Sequence, residues 1–217
     1  MKRVKSYFFV LPIAGLIGCG NPADNVPKAA VSPETSSEGT AATPASSDRV
    51  FAISGPDSKI EFIGSKVTGS HKGGFTNFTG ELRVADGKLA GAGNKIVIDM
   101  NSTWSDNPKL TGHLKSPDFF NTVQFAKAEF VSTAVEKKAT NYMVSGNLTL
   151  HGVTKQISFP ADIQLTDQAV DVKAQFVLNR FDFDIKYAGK ADDLIRKEVV
   201  IRMNVKATPG KGGLARL

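Results

Sequence analysis

The chain of 217 residues has one cysteine and one tryptophan, against twenty glycines and fourteen phenylalanines. A single cysteine excludes a disulfide scaffold and a cysteine-rich zinc module, because each needs several thiols. The glycine content is far below the one residue in three that a collagen requires. Gly-x-Ser-x-Gly, His-Glu-x-x-His and glycine-rich phosphate-binding motifs are also absent, so we expect neither an enzyme nor a cofactor.

The histidines give no sign of a metal site. His71, His113 and His151 lie far apart along the chain and lack the spacing of metal ligands. We therefore predict no bound metal.

The sequence also lacks an apolar run long enough to span a membrane permanently. Its main apolar run, Tyr7 to Ile17, follows three cations and has eleven residues, too few for about 30 Å of hydrocarbon. This pattern is typical of a secretory signal. The run closes as Leu16-Ile17-Gly18-Cys19, which resembles a bacterial lipobox.

The lipobox resemblance implies that residues 1–18 are a signal peptide and that Cys19 becomes a lipidated amino terminus. We therefore expect an exported protein that is attached to the membrane through acylated Cys19. In a host with two membranes, the expected location is the periplasmic side of the outer membrane.

Residues 19–48 are predicted to form a disordered tether that begins at the lipidated cysteine. From residue 20 to residue 48 there is no aromatic residue, and Ala, Ser, Thr, Pro and Gly fill twenty of twenty-nine positions. Such a segment has too little apolar surface to order itself.

The formal charge of +6 does not indicate a nucleic-acid partner. The signal and tether charges cancel, so the domain from Arg49 onward carries +6 by itself. Its cations mostly alternate with apolar residues, which favours a solvated surface over a binding face for nucleic acid.

Whether the protein forms a homodimer is left open by the sequence.

Residues 49–208 are predicted to form one all-β domain, followed by a loose C-terminal tail at 209–217. Four long runs of alternating apolar and polar residues, starting near Tyr142, Val153, Val170 and Val199, indicate half-buried strands. Four shorter strands are predicted at 59–67, 79–84, 95–100 and 126–135. Eight consecutive antiparallel strands close most simply into an up-and-down barrel, which leaves no exposed edge.

Residues 103–122 do not alternate in this way. Leu110 and Leu114 lie one helical turn apart, and Pro117 suits a first helical position, so one or two short helices are predicted to cover one end of the barrel. The pattern does not decide whether they form a movable lid or a fixed plug.

Several short segments, in their order and spacing, resemble the YceI-like family of lipocalin-like, polyisoprenoid-binding proteins of the bacterial envelope. The resemblance extends from about Phe51 to Ala207 and depends on these segments: Asp57-Ser58-Lys59-Ile60-Glu61-Phe62, Gly74-Phe75, Phe78-Thr79-Gly80, Leu110, His113-Leu114-Lys115-Ser116-Pro117-Asp118-Phe119-Phe120-Asn121, Gly146 to Lys155, Asn179-Arg180 and Phe183.

This resemblance implies a lipocalin-like eight-stranded barrel that holds a polyisoprenoid, an isoprenoid quinone or another long amphiphile. Burial of about ten methylene groups gives roughly 8 kcal/mol before association costs, so apolar walls are sufficient for binding. The candidate walls are the following large apolar residues: Phe75, Phe78, Leu114, Phe119, Phe120, Leu148, Phe159, Phe176 and Phe181. The alternative is that these residues only fill the core and the domain is a structural or interaction module.

Two residues are candidates for the polar end of the pocket. Arg180 continues the inward row of Leu178, and the apolar alternation then changes, so the strand is predicted to break or bulge there. Arg180 could meet a ligand head group, or it could pair with Asp118, Asp182 or Asp184. His113 has the same two alternatives, a head-group contact or a structural hydrogen bond.

Overall fold

A computed structural model of the chain describes residues 20–35 and 49–210. The predicted signal, Cys19 and residues 36–48 and 211–217 lie outside the described residues. The described strands are β1 (Ala30–Pro33), β2 (Arg49–Ile53), β3 (Lys59–Lys66), β4 (Gly69–Phe75), β5 (Phe78–Ala85), β6 (Lys88–Leu89), β7 (Lys95–Asp99), β8 (Thr103–Ser105), β9 (Lys127–Lys137), β10 (Tyr142–Leu150), β11 (Val153–Leu165), β12 (Val170–Asn179), β13 (Gly189–Lys190), β14 (Asp193–Leu194) and β15 (Glu198–Pro209). One α-helix, α1 (Pro108–Lys115), and two 3₁₀ turns at Met100–Ser102 and Arg180–Phe183 complete them.

Three pairs of short strands each act as one barrel strand. β2 and β3 both pair with the same edge of β15, β2 near its end and β3 nearer its beginning. The neighbouring barrel strand also consists of two short strands, because β5 pairs with β2 and β4 pairs with β3. β7 and β8 then pair with β5 and β4 respectively.

The remaining pairings close the barrel. β7 pairs with β9, and β9, β10, β11, β12 and β15 follow in sequence order, each antiparallel to the next. The result is a closed antiparallel barrel of eight strands, as the sequence predicts. A small hairpin of β13 and β14 lies apart from it.

Alternation of side chains builds the interior of the barrel. In β12, Val172, Ala174 and Phe176 are buried, whereas Lys173 and Gln175 between them are exposed. Phe51, Val170 and Val205 are fully buried at the end of the barrel where β2 meets β15. The predicted inward faces of the long strands are confirmed.

The chain before the barrel differs from the predicted tether. Residues 28–33 lie between β11 and β12: β1 pairs with residues 155–158 of β11, and the Ala29 amide donates to the Val177 carbonyl at 2.9 Å. β12 pairs with β11 only over residues 161–165, which leaves the space that β1 enters. The tether prediction is therefore wrong for residues 20–35.

The same segment covers an apolar patch on the outside of the barrel. Ala23 is buried against Val177 and Val200, and Val26 and Ile63 pack beside them. Val177 interrupts the alternation of β12, because it is buried although it points outward. The segment orders by covering apolar side chains of the barrel, which its own composition could not reveal.

The cover contains one helix, which agrees with the predicted one or two. Asn107 caps α1 by accepting from the Lys109 and Leu110 amides, and Pro108 is the first helical residue. After Ser116 the chain turns back, and the Phe120 amide donates to the Leu114 carbonyl at 3.0 Å. Residues 117–120 therefore form a turn that folds back on the end of α1, and they do not begin a second helix. Within the described ranges, no helix is long and apolar enough to cross a membrane.

Candidate functional site

A cavity of about 380 Å³ lies inside the barrel. This volume is within the range of small-molecule sites, roughly 300–1,000 Å³. Its walls are mainly aliphatic and aromatic side chains from the barrel strands, the cover and the segment after Arg180: Ile60, Phe62, Phe75, Ile96, Ile98, Met100, Leu110, Leu114, Phe119, Phe120, Phe130, Leu148, Leu150, Ile157, Phe159, Phe176, Leu178, Ile185, Val199, Ile201 and Met203.

Seven of the nine wall residues proposed from the sequence line this cavity: Phe75, Leu114, Phe119, Phe120, Leu148, Phe159 and Phe176. They come from β4, the cover, β10, β11 and β12, and the barrel brings them together. The rings of Phe75 and Phe120 have centroids 6.2 Å apart, so the cover packs directly on the barrel wall. The cavity therefore lies beneath the cover.

The structure places the other two wall residues elsewhere. Phe78 is buried in the core but does not border the cavity. Phe181 is 38% exposed and lies under the Arg180 guanidinium, with the Arg180 Cζ atom 4.8 Å from its ring centroid. It is outside the barrel because the 3₁₀ turn at Arg180–Phe183 ends the alternation of β12.

Arg180 is buried, and its guanidinium donates hydrogen bonds to backbone carbonyls. The sequence suggested a ligand head group or an aspartate as its partner, and neither alternative includes these carbonyls. Its Nη1 donates to the Ile185 carbonyl at 2.6 Å, and its Nη2 donates to the carbonyls of Tyr187 at 2.7 Å and Ile195 at 3.2 Å. Its Nε donates to the Arg196 carbonyl at 3.1 Å. Burial lowers the pKa of this guanidinium, which nevertheless stays cationic.

All four hydrogen bonds of the Arg180 guanidinium go to carbonyls of residues 185–196, in the segment that follows β12. Although Arg180 borders the cavity, its hydrogen bonds join residues 185–187 to residues 195–196. The predicted break of the strand at Arg180 is confirmed, and its role in the structure is to position this connection.

His113 does not border the cavity. Its Nε2 atom is 2.8 Å from the Asp118 Oδ2 atom, and its ring packs edge-on against the rings of Phe119 and Tyr187. These contacts hold the turn after α1 against Tyr187, in the segment that follows β12. The structure thus gives His113 the structural hydrogen bond that the sequence left as one of two alternatives.

Apart from Arg180, the polar side chains that border the cavity were not proposed from the sequence: Ser65, Lys66, His71, Glu129 and Arg196. We call Lys66, His71 and Arg196 the rim. Lys66 and His71 are partly exposed, at 38% and 39% of their side chains, so the cavity reaches solvent there. Arg196 lies beside Lys66 because its amide donates to the Ser65 carbonyl at 2.8 Å.

The rim is positively charged but partly neutralised. Lys66 pairs with Asp193, and the His71 Nδ1 atom lies 2.8 Å from the Asp106 Oδ1 atom. The hydrogen bond from the Lys72 amide lowers the pKa of Asp106, and His71 lowers it further by a smaller amount. The hydrogen bond from Lys66 lowers the pKa of Asp193. The buried Nε atom of Arg196 has no hydrogen-bond partner among the described residues.

Sequence reasoning missed the rim because its members are widely separated in the chain. Lys66 and His71 flank the turn from β3 to β4, and Arg196 follows the β14 hairpin. The only available signal was their position at strand ends, which many solvated cations share. Among the described residues, no group of three or more metal-binding side chains occurs.

A closed antiparallel barrel of eight strands with an apolar interior cavity and a helical cover is a lipocalin-like fold. The sequence places the chain within that class more narrowly. The model of the YceI-like domain matches residues 51–207, and the chain belongs to this family.

Bacterial relatives support the same assignment. A UPF0312 protein of Vibrio parahaemolyticus is 32% identical over 152 residues, which cover 66% of this chain and 80% of that protein. A UPF0312 protein of Yersinia enterocolitica is 37% identical over 99 residues, which cover 46% of this chain. The chain spans about half the length of the Yersinia relatives it matches.

Solved structures share the fold at low sequence identity. BcnA of Burkholderia cenocepacia superposes with a TM-score of 0.66 at 20% identity, over 72% of this chain and 99% of that one. A polyisoprenoid-binding domain of Saccharophagus degradans gives a TM-score of 0.61 at 18% identity, over 74% of this chain and 98% of that one.

Proposed function

We propose that this protein is a lipid-anchored envelope protein that binds a long amphiphile, of the polyisoprenoid or isoprenoid quinone type, inside its barrel. Binding serves carriage or sequestration, without catalysis. The observation that carries the proposal is the apolar cavity of about 380 Å³. Membership of the YceI-like family and the fold shared with a polyisoprenoid-binding domain support it.

The cavity supplies enough apolar contact for useful affinity. At about 30 Å³ for each water-sized or methylene-sized group, it has room for about a dozen such groups. Their burial gives roughly 10 kcal/mol before association costs. The apolar walls therefore account for binding without a reactive group.

The bound lipid itself is tested by native mass spectrometry of the purified protein, with organic extraction of the same sample. We expect one amphiphile per chain, released by the solvent. A matched variant, Leu148→Trp, adds bulk inside the cavity and is expected to purify without the amphiphile. Protein that carries no amphiphile in its parent form would favour the alternative, an interaction or structural module.

We place the polar end of the ligand at the rim, since Arg196 has a buried donor without a partner among the described residues. Replacement of this guanidinium by an apolar side chain removes a charge-assisted hydrogen bond, which contributes about 1.5–3 kcal/mol. Arg196→Met should therefore weaken dodecanoate binding at least tenfold and leave dodecanol binding unchanged. Equal losses for both compounds would contradict a head-group role for Arg196.

The anchor is proposed at Cys19, which lies outside the described residues. Mass spectrometry of the amino-terminal peptide from the membrane fraction should find acyl groups on Cys19. Cys19→Ala should leave the protein in the soluble fraction. An unmodified Cys19 in membrane-bound protein would reject the anchor and leave the cavity proposal unaffected.

A further inference from the structure

We propose that four side chains across the barrel form a floor that limits the buried part of the ligand to about a dozen carbons. We call Ile96, Phe130, Phe159 and Met203 the floor. The inference rests on the proposed function and specifies its ligand: a single apolar chain enters only to this depth. Any further carbons of a longer chain stay outside the barrel.

The floor is defined by two cavities that meet at it. All four side chains border the main cavity, and the same four border a second cavity of about 40 Å³ deeper in the barrel. They come from β7, β9, β11 and β15, so the barrel is obstructed from several sides. Closely packed aromatic rings lie at the centre of this obstruction.

Packing holds those rings in place. Phe159 stacks on Phe176 with ring centroids 4.3 Å apart, and Phe130 lies 5.8 Å from Phe159. Gly146 leaves space for the Phe130 ring, because a Cβ atom there would lie 2.4 Å from the Phe130 Cζ atom. In a densely packed interior, rings with these neighbours do not turn aside without displacing other side chains.

Little room exists beyond the floor. The second cavity is bordered by the buried side chains of Val144, Val172 and Val205, and its 40 Å³ holds about one methylene-sized group. The main cavity above the floor holds about a dozen. The floor therefore sets the chain length that contributes to affinity.

A series of straight-chain carboxylates from octanoate to octadecanoate tests this limit. Each competes with a fluorescent apolar probe for the delipidated protein, below its critical micelle concentration. We expect affinity to rise about tenfold for every two carbons up to about twelve, and to stay level beyond that. A continued rise through hexadecanoate and octadecanoate would overturn the floor and leave the proposed function intact.

Variants of the floor give a second readout. Phe159→Ala joins the two cavities and should move the plateau toward hexadecanoate. Phe78→Ala is the matched control, because Phe78 is a buried phenylalanine that borders neither cavity, and its plateau should stay near dodecanoate. Phe159→Leu and Met203→Ala remove less volume and serve if Phe159→Ala does not fold.

The outcomes separate the two proposals. A longer plateau in the floor variants, with an unchanged plateau in Phe78→Ala, supports the floor. An unchanged plateau in every floor variant overturns it. Absence of saturable binding by every carboxylate in the parent protein overturns the proposed function, and the floor with it.

Discussion

Arg180 is the residue whose structural role is most sharply defined. It is 5% exposed, and its guanidinium donates to four backbone carbonyls, two in residues 185–187 and two in residues 195–196. A buried acceptor that loses its donor costs about 1–3 kcal/mol, so the four bonds together matter for folding.

We predict that Arg180→Ala lowers the free energy of unfolding by about 3 kcal/mol, because the carbonyls of Ile185, Tyr187 and Ile195 lose their donors. Urea denaturation measures this change. Arg202→Ala is the control, since Arg202 makes an exposed hydrogen bond to Gln175, and its effect should stay within about 0.5 kcal/mol. Equal stability of the two variants would show that Arg180 does not hold this connection.

Gly146 is a second residue with a defined structural requirement. A Cβ atom at this position would lie 2.4 Å from the Phe130 Cζ atom and 2.5 Å from the Val131 carbonyl oxygen. We predict that Gly146→Ala destabilises the protein by about 2 kcal/mol in thermal or urea unfolding, since the backbone contact cannot move aside easily.

Gly64 is the matched control for this prediction. It also lies inside a strand, β3, but nothing lies within 4 Å of a Cβ atom built there. Gly64→Ala should change the unfolding free energy by less than about 0.5 kcal/mol. A similar loss in both variants would mean that the cost comes from replacing any glycine within a strand, and not from the contacts with Phe130 and Val131.

At the scale of elements, the segment before the barrel behaves as part of the wall. Ala29 and Val31 pack against the same core that surrounds the cavity, and Ala23 is buried against Val177. We predict that Ala23→Asp releases residues 20–35, because an unpaired charge cannot stay in this apolar contact. Hydrogen exchange should then show lost protection at the amides of Ala29 and Val177.

Ser32→Asp is the control for the released segment. Ser32 belongs to the same strand, β1, but is exposed, so both amides should keep their protection in this variant. Fast exchange at the Ala29 amide in the parent protein would contradict the placement of the segment and restore the idea of a free tether.

The sequence predicted the strands well where apolar and polar residues alternate over a long run. It predicted poorly the segments that are ordered only by contacts with the rest of the fold. β10, β11, β12 and β15 could be read from period-two patterns, since one face of each strand is buried. The first three barrel strands are each split by a turn, which made their patterns short. The one available sign of the docked segment was the apolar residues Val177, Val200 and Ile63 on outward faces.

For the whole molecule, the apolar wall was predictable and the polar rim was not. Phe159 and Phe176 lie on inward rows of long strands, so their place in the cavity followed from alternation. The positions of Phe181 and His113 could not be predicted in this way. Phe181 lies in the turn that ends β12, and His113 lies in the last turn of α1. The ends of these elements are determined by tertiary hydrogen bonds, such as those of Arg180, which cannot be predicted from a single sequence.

The proposed function depends on an apolar cavity inside the barrel that a ligand chain can enter. Crystals of the delipidated protein under xenon pressure test it directly, because xenon binds in dry apolar cavities. We predict xenon scattering inside the barrel, among Leu148, Ile157 and Ile201, on the cover side of Phe159. Side chains that meet across the barrel axis, with no xenon between them, would contradict it.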